Sequence, residues 1–163
     1  MNLFVVSLSA LALSLCIGVG IGHAQQRFAP SADGQEITDH KTGLIWLRCA
    51  EGMTWKARSC TGKPFFSNQA DAASRAKSTA AADGKPWRLP TMKELSGLVN
   101  MREADENKAA IDPAAFPATP VARFWTSTSA GTGYFMFVGF VEGSAGEGAR
   151  NSPGAVRLVR DAK

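Results

Sequence analysis

Arg48, Trp55, Lys56, Arg58 and Lys63 crowd one short stretch of the 163-residue chain, and Glu51 is the one carboxylate that opposes them there. Guanidinium and ammonium groups pair with sulfate or carboxylate, and an aromatic ring can stack on a sugar face. These five residues are the candidate ligand-binding set, and the ligand they suit is an acidic glycan or another polyanion. A plainer reading stands beside it: Trp55 packs the loop, and the cations form a solvated face that need not point one way. The formal net charge of +4 fits both readings.

Two cysteines, Cys49 and Cys60, bracket this stretch, and Cys16 lies in an apolar leader. Removal of the leader leaves an even pair, which in an exported chain argues for a disulfide. Closing so short a loop stabilises a fold by roughly 2–3 kcal/mol in the chain-entropy account. A redox or metal pair is the alternative, but the spacing is not C-x-x-C, and beyond the leader His40 is the sole histidine.

Catalytic chemistry finds little footing. A Ser-His-Asp site would need His40, which falls in an expected hairpin turn. Ser144 lies in Glu142-Gly143-Ser144-Ala145-Gly146, which lacks the first glycine of a nucleophile elbow. Gly131-x-Gly133 has no third glycine to cradle a phosphate, and no H-E-x-x-H occurs. Glu103, Asp105 and Glu106 cluster without the order of a calcium-binding EF-hand loop. The reading is therefore a binding protein and no enzyme, with no catalytic residue, no metal and no cofactor expected.

The elements that must position the basic stretch follow from the rest of the chain. Residues 3–21 carry no charge, and Gly22-His23-Ala24 offers small residues at a cleavage site, so residues 1–24 read as a signal peptide. An uncleaved anchor is the alternative, since the run nearly reaches the roughly 20 residues that span a bilayer. Residues 25–163 then form a single periplasmic or secreted domain. No membrane insertion is expected after cleavage, and no nucleic acid partner. The partner is an acidic polysaccharide or, alternatively, an envelope protein that the domain serves as an accessory.

Within that domain, Gln35–Asp39 and Leu44–Cys49 read as strands joined by a His40–Gly43 hairpin loop, the second covered on both faces. Residues 50–64 read as a loop stapled by the disulfide. Residues 67–82 read as a helix capped by Ser67, with an alanine face and an outer Asp71–Arg75 pair. Trp87-Arg88-Leu89-Pro90-Thr91-Met92-Lys93-Glu94-Leu95 is the sharpest local signal. Pro90 extends Leu89, Thr91 and Glu94 make a capping box, and a second helix runs to about Met101. Arg88 reads as structural, and Trp46, Trp87 and Trp125 as core. Arg123–Ser129, Tyr134–Val141 and Ala155–Arg160 read as strands, with a glycine-rich mobile loop or long hairpin tip over residues 142–154. Two strands, two helices and three strands make the fold class α+β.

The ordered motifs resemble a known family. They are Thr38-Asp39-His40-Lys41-Thr42-Gly43-Leu44-Ile45-Trp46, then Cys49, Trp55 and Cys60-Thr61-Gly62, then the Trp87–Leu95 signature. Ile111-Asp112, Phe116-Pro117, Phe124-Trp125-Thr126-Ser127-Thr128 and Val156-Arg157-Leu158-Val159-Arg160 complete the set. Together they are similar to the Lcl C-terminal domain family. The resemblance implies a C-type-lectin-like fold, with a small antiparallel sheet flanked by two helices, first and last strands paired, and one disulfide. It also implies export in bacteria and, from the collagen-like adhesin that names the family, binding of sulfated glycosaminoglycans. It supplies no catalytic residue. A related fold carries the formylglycine-generating oxidase, but that chemistry uses a late cysteine pair and no cysteine follows Cys60 here.

Overall fold

A computed structural model describes residues 26–105 and 107–162. The expected signal peptide, residues 1–24, lies outside the described residues, as does Glu106. Strands dominate. In chain order they are β1 (Phe28–Pro30), β2 (Glu36–Asp39), β3 (Leu44–Leu47), β4 (Met53–Lys56), β5 (Ser59–Gly62) and β6 (Phe66–Ser67), followed by helices α1 (Gln69–Asp83) and α2 (Met92–Ser96). Strands β7 (Arg123–Gly131), β8 (Tyr134–Gly139), β9 (Ser144–Ala149), β10 (Gly154–Ala155) and β11 (Val159–Asp161) complete the order. No helix among the described residues is long and apolar enough to cross a membrane.

The α+β, C-type-lectin-like expectation is corrected by this architecture. Strand accounts for 38% and helix for 15%, and the strands form several sheets rather than one small sheet between two helices. Their orders are β1-β2-β3-β11, β6-β10-β7-β8-β9 and β4-β5. β11 pairs with β3, while β1 pairs with β2, so first and last strands are not partners. The helical share shrinks because α2 stops after five residues, where the Gly97 N–H turns back to the Lys93 and Glu94 carbonyls. Leu98 is still buried, but from a turn beyond the helix. The strand share grows because residues 50–64 and 142–154, read as loops, fold into β4–β5 and β9.

Alternation along β3 explains the interior. Leu44 and Trp46 enter a core cluster with Leu95, Phe124, Phe140 and Val159. Ile45 and Leu47 pack on a second cluster built from Ala72, Ala76, Trp87, Leu89, Trp125, Val156 and Leu158. The strand is covered on both faces, as its near-continuous apolar run requires. Trp46, Trp87 and Trp125 are all core residues. The closing run alternates in the same way: Ala155 and Val159 serve the first cluster, Val156 and Leu158 the second.

Helix α1 is capped by Asn68, whose side chain accepts from the Asp71 N–H, and not by Ser67; it ends at Gly84 in the left-handed region. Asp71 also accepts from the Asn68 amide, and Arg75 turns inward to Glu51, so the expected Asp71–Arg75 pair is replaced. Its inner face is Gln69, Ala72 and Ala76, with Ala73 and Ala80 packed beside them. The alanines let α1 sit close on the Trp87 and Trp125 cluster.

Candidate functional site

The disulfide joins Cys49, just after β3, to Cys60 in β5, with Cα atoms 5.4 Å apart. It holds the β4–β5 hairpin against the first sheet. Trp55 pairs with Cys60 and Lys56 with Ser59, so residues 57 and 58 form a two-residue turn. Both have positive φ, Ala57 at 51° and Arg58 at 67°. Such turns favour Asn and Gly, and placing non-glycine residues there costs roughly 1 kcal/mol or more each. The absence of a turn signature is why the hairpin is not legible in the sequence.

The hairpin's two faces differ. Trp55 and Cys60 turn inward, while Thr54, Lys56 and Thr61 are exposed, with the Thr61 hydroxyl donating to the Thr54 carbonyl. Arg58 is exposed at the tip and Lys63 at the base. From Lys56 to the level of Lys63 the strand advances about 14 Å, at about 3.4 Å per residue. Among the described residues, none of Lys56, Arg58 and Lys63 has an ion pair.

Arg48 belongs to the interior and not to this face. It is only 8% exposed. Its Nε donates to the Ala115 carbonyl at 2.8 Å, Nη2 to Ala114 at 2.6 Å and Nη1 to Gly34 at 3.1 Å. The guanidinium lies over the Trp55 ring at 4.2 Å, and burial lowers its pKa. Trp55 is half-buried, covered by Arg48 and crossed by Gly34, where a Cβ would stand 2.8 Å from the indole nitrogen. The five candidate residues therefore separate into an internal stack, Arg48 on Trp55, and an outward cationic set, Lys56, Arg58 and Lys63. The stack stiffens the base from which the set projects.

The Trp87–Leu95 signature is a brace. Thr91 and Glu94 form the reciprocal capping box, and Arg88 grips both Glu94 oxygens at 2.9 Å and reaches Asp161 at 3.2 Å. Burial opposes ionisation of Glu94, but Arg88 and the Thr91 N–H outweigh it and hold its pKa below the ordinary value. Lys85 and Arg160 meet on Glu36, and the Glu36 bond raises the Lys85 pKa. Asp39 is buried too, and Arg27 and the Lys41 N–H overcome that burial to keep its pKa low.

One charged residue is more deeply placed than its sequence context suggests. Arg157 is fully buried, donating from Nη1 to the Leu47 and Arg48 carbonyls and from Nη2 to the Thr119 hydroxyl. Phe116 and Phe124 flank its guanidinium at 4.8 and 5.6 Å. Burial pulls its pKa down to about 9. The signal was its parity with Ala155 and Val159, both of which face the first core cluster.

His40 is exposed in its turn and Ser144 is exposed in β9. No group of three or more His, Cys, Asp or Glu positioned for a metal ion occurs among the described residues. The sheets and the staple define a mostly β, disulfide-bonded domain that presents a basic hairpin. The model of the Lcl C-terminal domain matches residues 35–160, and the chain belongs to that family. No curated protein matches the chain.

Proposed function

We propose that the domain is an exported, non-catalytic binding module that recognises an acidic glycan, or another linear polyanion, through the outward face of the β4–β5 hairpin. One observation carries this reading. Lys56, Arg58 and Lys63 are exposed on a single stapled hairpin, and no carboxylate among the described residues pairs with them. Cations without internal partners raise the local anion concentration and pair with sulfate or carboxylate groups along a chain. The strained tip supports the same reading, because backbone strain persists where the surroundings impose it and concentrates at functional sites. Export is supported by the Cys49–Cys60 disulfide, since such bonds persist in oxidising compartments.

Heparin-agarose, a sulfated polysaccharide matrix, provides the test. Retention should fall as salt rises, because exposed charges are screened within a Debye length of about 10 Å at 0.1 M salt. Replacing Lys56→Glu together with Arg58→Glu should move elution to markedly lower salt. Retention that is insensitive to that double reversal would overturn the reading.

A further inference from the structure

We propose a second binding site, a neutral cleft behind the hairpin that takes a pyranose ring by its hydroxyls. The cleft has a volume of about 330 Å³ and is walled by Gln35, Ala50, Glu51, Met53, Trp55 and Arg75. Small-ligand sites run from about 300 to 1,000 Å³ and combine apolar walls with a few fixed polar groups. Glu51 is such a group. It is 8% exposed, its N–H donates to the Val156 carbonyl at 2.9 Å, and its carbonyl accepts from the Phe65 N–H at 2.7 Å. Its backbone is therefore fixed in place.

The two carboxylate oxygens are used unequally. Oε2 accepts from Arg75 Nε at 2.7 Å and from the Thr79 hydroxyl at 3.3 Å. Oε1 has no protein donor among the described residues. Arg75 spends its Nε on that bond, rests against Phe65 at 5.6 Å, and remains 46% exposed. The cleft thus offers an acceptor and donors side by side, with no net charge. An acidic ligand would meet Glu51 and a cationic one Arg75, so the pair selects against both. Adjacent hydroxyls of a neutral sugar can donate to Oε1 and accept from the guanidinium. Trp55 and Met53 supply apolar wall for the ring's C–H face. The site is separate from the cationic face and does not depend on that assignment.

The test is titration of ¹⁵N-labelled protein with methyl glucoside, methyl mannoside and methyl galactoside in turn, at high salt so that the hairpin's charges are screened. At least one should shift the Trp55 indole N–H and Arg75 Nε–H signals saturably, with a Kd of about 1 mM. Arg75→Ala should weaken it about tenfold, the loss of one charge-assisted hydrogen bond. Glu51→Gln, which preserves shape, should weaken it similarly. Lys56→Glu with Arg58→Glu should leave it unchanged, which distinguishes this site's failure from that of the cationic face. No saturable shift with any of the three sugars overturns the proposal. So do shifts confined to residues 56–58, an unchanged Kd in a folded Arg75→Ala or Glu51→Gln protein, or tighter binding of glucuronate than of the neutral glycosides.

Discussion

Replacing Arg157 by Lys should harm the protein more than replacing it by Met. The guanidinium is fully buried, and the fall in its pKa from the ordinary arginine value to about 9 corresponds to roughly 5 kcal/mol of burial cost. Against this stand three hydrogen bonds, to two carbonyls and the Thr119 hydroxyl, each contributing about 1.5–3 kcal/mol when the donor is charged. Stacking between Phe116 and Phe124 adds about 1 kcal/mol or more when desolvated. Lysine retains a buried cation yet cannot span the same acceptors, because its ammonium is a compact group and not a planar fork. Its expected cost is about 3–5 kcal/mol, the range for a disrupted buried charge. Methionine removes the burial cost along with the bonds and fills similar volume, so about 1–3 kcal/mol is expected from the unpaired acceptors. Urea unfolding followed by tryptophan fluorescence measures both. A lysine variant as stable as wild type, or a methionine variant less stable than the lysine one, would refute this account of the guanidinium. The pH dependence adds a sign. The depressed folded pKa means the unfolded chain binds more protons above about pH 9, so wild-type stability gains a contribution as pH rises through 9. Arg157→Met should lack that gain.

Other perturbations follow from the hairpin and its brace. Ala57→Asn should stabilise by about 0.5–1 kcal/mol in urea melts by relieving the positive-φ alanine, while heparin retention stays unchanged. Reducing Cys49–Cys60, or replacing both by Ser, should cost about 3 kcal/mol and lower heparin retention, because the hairpin loses its tether. Thr91→Ala should cost about 1 kcal/mol by removing the cap. Acid should destabilise through Asp39 and Glu94, whose folded pKa values lie below their ordinary ones. Their contribution is complete above the unfolded values near 4 and is lost as pH falls through the lowered ones. Asp39→Asn should flatten that acid slope in pH-dependent melts.

Features decided by near neighbours were legible in the sequence. Thr91 and Glu94 are three residues apart, and their capping box formed as the spacing requires. The His40–Gly43 turn and the doubly covered β3 also follow from local pattern. The misread elements depend on distant residues. β9 looks like a loop because of its glycines, yet a Cβ at Gly146 would stand 2.8 Å from the Phe137 ring and one at Gly148 3.0 Å from Trp125. There the glycines make room for aromatic rings lying over the strand. Arg75 has a carboxylate four residues back, but Glu51, 24 residues away, claims it. At the basic stretch the cations were evident from composition. Their division into buried Arg48 and exposed Lys56, Arg58 and Lys63 was not, because the carbonyls that claim Arg48 lie at residues 34, 114 and 115.

The last strand also bears on how the chain reaches this structure. β11 zips onto β3, and Arg157 clasps Leu47 across 110 residues of sequence. Both core clusters take side chains from this closing run, so neither is complete until it docks. The disulfide spans only 11 residues and does nothing to shorten that search. Contacts so distant in sequence must overcome loop-closure entropy before they contribute, which places folding among the slower, milliseconds-to-seconds class of β topologies. Until then β3 presents an open, apolar edge, the kind of surface on which unfolded chains associate.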